Sequence, residues 1–255
     1  MTLPSVTIVV PTYARTSLLV EAIECFRRTV YDGDLRLLIL NDCPLQTLIC
    51  NVKNVQVWNA PLLTPFGVKL NTLFDKVSTE LVIRCDDDDL FLPAFVRTVV
   101  AKLLSSPVPG EPLARLHDML QWNGDAMRAM PTSMHHGAVL RTQAWRDSCR
   151  FQPLDASSTD VDFWNVMSPR WARGRHHHER DGHLLTIHRA DAGRIHVEGT
   201  PTPPITEEHF HGALDERIRS GDEPGNYVVL IPSWSRDWEA LASAGSPTDS
   251  KVAYD

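Results

Sequence analysis

The sequence has no C-x-x-C pair, and its five cysteines (Cys25, Cys43, Cys50, Cys85 and Cys149) are odd in number. Neither a zinc ribbon nor a disulfide framework fits that pattern, and a reducing compartment is the natural setting. No apolar run approaches the roughly 20 residues that span a bilayer, so no membrane span is expected. The chain passes straight into a strand-like segment with no signal-peptide pattern, and a cytoplasmic location is the expectation. Positive charge is also scarce. With 25 basic and 32 acidic side chains the net charge is −7, which argues against a broad nucleic-acid-binding surface but not against a local basic patch. What is present is an ordinary globular composition, 43% apolar and 22% charged, and 255 residues can bury a substantial core.

The first hundred residues alternate strand and helix signals. VTIVV (6–10) is an apolar, β-branched run expected to stop at Pro11. Ser17 is placed to cap a following helix, in which Leu18, Leu19, Ala22, Ile23 and Phe26 fall at helical spacing. LRLLIL (35–40), VQVW (55–58) and LVIRC (81–85) read as further strands, residues 67–79 as a helix, and Pro93 as lying near the start of another. Strands without polar alternation, separated by helices, imply a mostly parallel sheet covered on both faces. In such sheets ligands bind beyond the carboxyl ends of the strands. The segments Thr12-Tyr13-Ala14-Arg15, Asn41-Asp42 and Asp86 to Asp89 each follow a strand directly, so topology should gather them at one edge. The second half is less regular. Residues 113–136 give no clear reading, GAVLR (137–141) and LLTIHR (184–189) look like strands, and 142–149 looks helical. No internal repeat is visible.

The run of four aspartates, Asp86 to Asp89, lies between Leu81-Val82-Ile83 and Leu90-Phe91-Leu92. A like-charge run is often a solvated turn, but these flanks are core-like. Two carboxylates ~4 Å apart repel by about 4 kcal/mol at an effective dielectric of ~20. A divalent cation on alternating carboxylates, or a phosphate bridged by one, removes that cost, and oxygen ligands suit Mg2+ or Mn2+.

VTIVVPTYAR, LLILNDCP and the stretch from Asn71 through Glu80 to Asp86, Asp88 and Asp89 resemble the family 2 glycosyltransferases. The resemblance implies the GT-A fold, an α/β architecture with a mostly parallel central sheet, as a single domain with a C-terminal extension. Residues 1–104 would be the nucleotide-sugar-binding half and 105–215 the acceptor-binding, catalytic half. Residues 216–255 would be the extension, ending in a tail expected to be mobile. The implied activity is inverting, metal-dependent transfer of a sugar from a nucleotide-diphosphate donor, UDP-linked by preference, to an acceptor hydroxyl. Pro11, Thr12, Tyr13, Arg15, Asp42, Lys69, Asn71, Asp86 and Asp87 would contact the donor. Asp88 and Asp86 of the D-x-D element would hold Mn2+ or Mg2+, with His188 as a further candidate ligand. Asp87, at the variable position, is expected to be replaceable, and Asp89 to steady the loop.

GAVLRTQAW followed by STDVDFW resembles the acceptor side of the same family, which makes Asp160 the general base, with Asp162 and Trp164 beside it. Thr159 and Asn41 depart from the family pattern, which has acids there. Asp160 also suits a plain helix cap. The basic stretch SPRWARGRHHHER offers Arg173 and Arg175 to a phosphate or an anionic acceptor, be it a glycan, a small molecule or nucleic acid through residues 170–180, or it is a solvated loop. His176 to His178 are adjacent and lack metal-ligand spacing, as a surface run would. Two other classes stay open. A nucleotidyltransferase also sets aspartates after strands, but usually carries a glycine-rich first loop, and PTYARTS has no glycine. A catalytically degenerate nucleotide- or carbohydrate-binding protein of the same fold is the other.

Overall fold

The computed structural model describes residues 2–63, 65–131, 137–148, 150–151, 184–189 and 227–245. Its central sheet has six strands: β1 (Val6–Thr12), β2 (Leu35–Asn41), β4 (Val55–Asn59), β5 (Leu81–Arg84), β7 (Leu113–Arg115) and β10 (Ala138–Arg141), in the order β4-β2-β1-β5-β10-β7. β4, β2, β1 and β5 run parallel, β10 joins β5 antiparallel, and β7, antiparallel to β10, runs in the same direction as the first four. The fold is therefore α/β with a mostly parallel sheet.

Side-chain alternation explains why both faces are apolar. Val6, Ile8 and Val10 of β1 point to one face, with Ile39 and Ile83, and pack on Leu19 and Ile23 of α1 (Thr16–Arg28) and Val96 and Val99 of α3 (Phe95–Leu104). Val9, Leu38 and Val82 point to the other, against Leu70, Leu73 and Phe74 of α2 (Phe66–Asp75) and Trp145 of α4 (Thr142–Ser148). The Trp145 ring lies 5.1 Å from that of Phe74.

β1 runs through Pro11 to Thr12 rather than stopping at the proline. β5 pairs only with Val6 to Val9, so Pro11 lies where β1 has a neighbour on one side alone, an edge-like place that tolerates a missing N–H. α1 begins at Thr16, so Ser17 sits inside its first turn and caps nothing; Arg15 holds the N-cap position without a side-chain cap.

A second sheet has four strands in the order β6-β11-β8-β9: β6 (Asp89–Phe91), β8 (Asp118–Trp122), β9 (Met127–Pro131) and β11 (Thr186–Arg189). A third pairs β3 (Thr47–Ile49) with β12 (Tyr227–Val229). After β12 the chain reaches α5 (Trp238–Gly245), where Trp238 meets Trp122 edge to face at 5.8 Å. Among the described residues no helix is long and apolar enough to cross a membrane.

Candidate functional site

Strand order sets the place of the site. From β1 the chain moves outward to β2 and β4, then returns to lay β5 on the opposite side of β1. The carboxyl ends of β1 and β5 therefore flank the point where the winding reverses, and a crevice opens there in sheets of this kind. Thr12 ends β1 and Asp86 to Asp89 follow β5, so the sequence-derived groups meet across that point.

The four carboxylates are divided among different partners. Arg84, the last residue of β5, holds Asp86 with both ends of its guanidinium, at 3.0 and 3.1 Å. Asp87 is nearly buried, accepting from Thr12 Oγ1 at 2.8 Å and from Arg15 Nη1 at 2.8 Å. The same Arg15 nitrogen donates to Asp88 Oδ2 at 2.9 Å. Asp89 Oδ1 lies 2.7 Å from His188 Nδ1, and the two residues are in register across β6 and β11. Asp87, expected from the sequence to be replaceable, ties β1 to the acidic turn, with its side chain pointing inward rather than into water.

Charge crowding shows in the protonation of the site. Burial, then the neighbouring Asp89 and Asp87, push the Asp88 carboxyl up to about 6 even though Arg15 pulls it down. Burial works against the charge of Arg15, but Asp87 and Asp88 outweigh it and hold the guanidinium above its ordinary pKa. Tyr13 is pushed up to about 12 by burial, then by Cys43 and Asp42, so its hydroxyl stays a donor. Burial raises the thiols of Cys25 and Cys85 as well, which removes them as thiolate nucleophiles.

Asp86, Asp88 and Asp89 each present a carboxylate oxygen, and these lie within 4.8 Å of one another. Such an all-oxygen donor set fits a hard divalent cation. It adds Asp89 to the ligands expected from sequence, while His188 is engaged through Nδ1 with that aspartate.

On the β2 side, Lys69 Nζ donates to Asp42 Oδ1 at 2.5 Å and to the carbonyl of Thr12 at 2.7 Å. Asp42 Oδ2 accepts from the Leu63 N–H at 3.1 Å. Asn41 is fully buried; its amide donates to Gln46 O and Asn59 Oδ1, both at 2.9 Å, and its oxygen accepts from Cys43 N. An aspartate there could not donate those two bonds, which accounts for the departure from the family pattern. Both ends of the Asn71 carboxamide are taken by the backbone of Phe151, at 2.8 and 2.9 Å. Pro11 and Tyr13 line the same edge, and Tyr13 packs with Ala14, Cys43 and Leu62. Ala14 has φ 54°, a left-handed conformation that costs a non-glycine residue energy and turns the chain into Arg15.

Three residues that hold the acidic turn in place escaped the sequence reading: Arg84, Glu21 and Arg189. Arg189 donates through Nε to the Asp88 carbonyl at 2.7 Å and through Nη2 to the Asp87 carbonyl at 3.0 Å. Its Nη1 pairs with Glu21 Oε2, and Glu21 Oε1 accepts from Ser235 N at 2.7 Å. The available signal was a charged residue inside an otherwise apolar segment: Arg84 in LVIRC and Glu21 in LLVEAI. Asp160, Asp162, Trp164, Arg173, Arg175 and His176 to His178 lie outside the described residues.

Sheet order and the acidic turn at the switch point together fit a GT-A, nucleotide-diphospho-sugar transferase fold. Residues 7–111 match the model of glycosyl transferase family 2. Among solved structures the chain is similar to S. aureus TarS 1–349 in complex with UDP-GlcNAc, at 13% identity and a TM-score of 0.55, covering 84% of this chain and 66% of that one. The same protein in complex with UDP gives 13% identity, a TM-score of 0.53 and coverages of 84% and 64%. The chain thus spans just under two thirds of the length of these structures. No curated protein matches it.

Proposed function

We propose that this protein transfers a sugar from a nucleotide-diphosphate donor, UDP-linked by preference, to an acceptor hydroxyl, with inversion and with Mn2+ or Mg2+. The observation that carries this reading is the meeting, at the switch point between β1 and β5, of Thr12 and Arg15 with the acidic turn, beside the Asp42–Lys69 pair. The UDP and UDP-GlcNAc bound to the similar TarS structures favour a UDP donor. When bound, the cation supplies positive charge beside the diphosphate oxygens as the leaving group departs. Asp88, Asp86 and Asp89 would hold it. Tyr13, Asp42 and the Pro11–Thr12 turn would receive the base and ribose, Arg15 the phosphates, and Asp160 would take the proton of the acceptor hydroxyl. Asp162, Trp164, Arg173 and Arg175 would shape the acceptor side.

The test is a thermal-shift screen of nucleotide diphosphates and their sugars with each ion, followed by hydrolysis and transfer assays on the hits. UDP or a UDP-sugar should raise the melting midpoint only with Mn2+ or Mg2+, and turnover should follow. Absence of both binding and hydrolysis of every nucleotide sugar ends the proposal. Tight UDP binding without turnover over a broad acceptor panel would favour a binding protein instead.

A further inference from the structure

Arg15 serves two masters through one nitrogen. Its Nη1 donates to Asp87 Oδ1 at 2.8 Å and to Asp88 Oδ2 at 2.9 Å, so a single positive charge is shared by two carboxylates. Those carboxylates differ in what else they do. Asp87 is fixed from behind by Thr12 and stands apart from the three-carboxylate cluster, whereas Asp88 belongs to it. Arg15 therefore bridges an anchoring carboxylate and a ligating one. A divalent cation on Asp88 would sit beside a guanidinium already in contact with that carboxylate, in a place where both side chains are only 12 to 13% exposed. Like charges so poorly screened repel strongly. A donor diphosphate brings two or more negative charges to the same edge, and a guanidinium matches phosphate oxygens well.

We infer, building on the function proposed above, that Arg15 is an exchangeable internal cation. In the donor-free protein it neutralises Asp88. When a divalent cation arrives with a nucleoside diphosphate, it releases Asp88, stays anchored on Asp87 and turns to the diphosphate. No bond is made or broken in the exchange. Three consequences follow from the charge arrangement. The cation alone binds weakly, because it must displace Arg15 without giving it a new partner. The nucleoside diphosphate strengthens cation binding, and the cation strengthens nucleotide binding by the same factor. A nucleoside monophosphate, which lacks the second phosphate, couples less.

The experiment is calorimetric titration of Mn2+ into the full chain, with and without saturating UDP, for the wild type, R15Q and R15K. In the wild type, UDP should tighten Mn2+ binding at least tenfold. R15Q should bind Mn2+ alone at least fivefold more tightly than the wild type, with the UDP enhancement reduced below threefold. R15K, which keeps the charge, should stay close to the wild-type pattern. R15Q binding Mn2+ alone no more tightly than the wild type, or keeping the full UDP enhancement, overturns the inference while leaving the proposed function standing. A wild type that binds neither Mn2+ nor UDP removes the proposed function itself, and the inference with it. Should R15Q fail to fold, the wild type still decides: its Arg15 Nε–H resonance, assigned through R15K, should move with Mg2+ plus UDP and move much less with Mg2+ alone or Mg2+ plus UMP. Equal shifts under all three conditions overturn it.

Discussion

Asp42 and Lys69 meet with almost no water around them, their side chains 3% and 6% exposed. Coulomb attraction in such a place offsets a desolvation cost of several kcal/mol per ion, so the pair is more sensitive to losing one partner than its net stabilisation suggests. Lys69→Met should lower stability by about 3–5 kcal/mol, seen as a fall in the denaturant midpoint at unchanged m-value. Adding Asp42→Asn to it should recover much of the loss. Asp88 behaves in the opposite sense. Its carboxyl is raised to about 6, while in the unfolded chain it should titrate near the ordinary Asp value of about 3.9. Between those values the folded state holds a proton that the unfolded state lacks, so cation-free stability falls as pH rises from about 4 to about 6. Asp88→Asn, with no charge to bury, should be more stable than the wild type at pH 7 without cation, by up to about 3 kcal/mol. The gap should close as pH drops below about 4, and saturating Mn2+ should reverse its sign at pH 7. Thermal melts across that range check both statements. A wild type more stable than Asp88→Asn at pH 7 without metal would mean that the ion pair with Arg15 outweighs the cost of burying the Asp88 charge.

The elements divide into those whose sequence carries its own period and those held by their partners. β1, β2 and β5 are legible because they are buried at nearly every position and so read as apolar runs, and β4, at the sheet edge with Gln56 and Asn59 exposed, is legible from Val55, Val57 and Trp58. The D-x-D turn is legible because β5 stops where the charges start. β7, β8 and β9 are not, since DMLQW and MRAMP mix polar and apolar residues without a clear period and take their strand form from pairing with β10, β11 and each other. β3 and β12 are three residues each and exist through their mutual pairing. The least legible link is the one that fixes the site. Glu21, on the inner side of α1, joins Arg189 of β11 to the backbone of Ser235, and Arg189 holds the carbonyls of Asp87 and Asp88. Those residues are 168 and 214 positions from Glu21, so no local pattern could reveal the connection. Arg28 extends the same contact, lying 4.0 Å over the Trp234 ring and pairing with Glu239 of α5. Glu21→Gln should leave Arg189 buried with a weaker partner and cost about 3 kcal/mol or more. It should also speed hydrogen exchange of the amides from Asp87 to Leu90 beyond what global destabilisation explains, whereas uniform acceleration across the sheet would show that Glu21 only supports the fold.

At the scale of the whole molecule, the proposed function divides the donor and acceptor roles between separate parts of one chain. The acidic turn, Arg15 and the Asp42–Lys69 pair all sit on the first hundred residues, the part covered by the family match. Asp160 lies beyond it and is assigned to the acceptor proton through the likeness of STDVDFW to the family's acidic segment. If the two functions are separable, single substitutions should separate them. Asp88→Ala should abolish cation-dependent UDP binding, and with it all turnover. Asp160→Ala should bind UDP and Mn2+ within about twofold of the wild type while transfer falls by a factor of about 10² to 10⁴, the range for loss of a general base. Its residual rate should lose the low-pH limb of the wild-type profile, because no group remains that must be deprotonated to accept the hydroxyl proton. Calorimetry for the first quantity and initial rates from pH 5 to 9 for the second distinguish the roles. Equal loss of binding and turnover in Asp160→Ala would instead place that residue in the donor site or in the packing that supports it. Wild-type turnover in that variant would return Asp160 to the plain helix-capping role that its sequence context also allows.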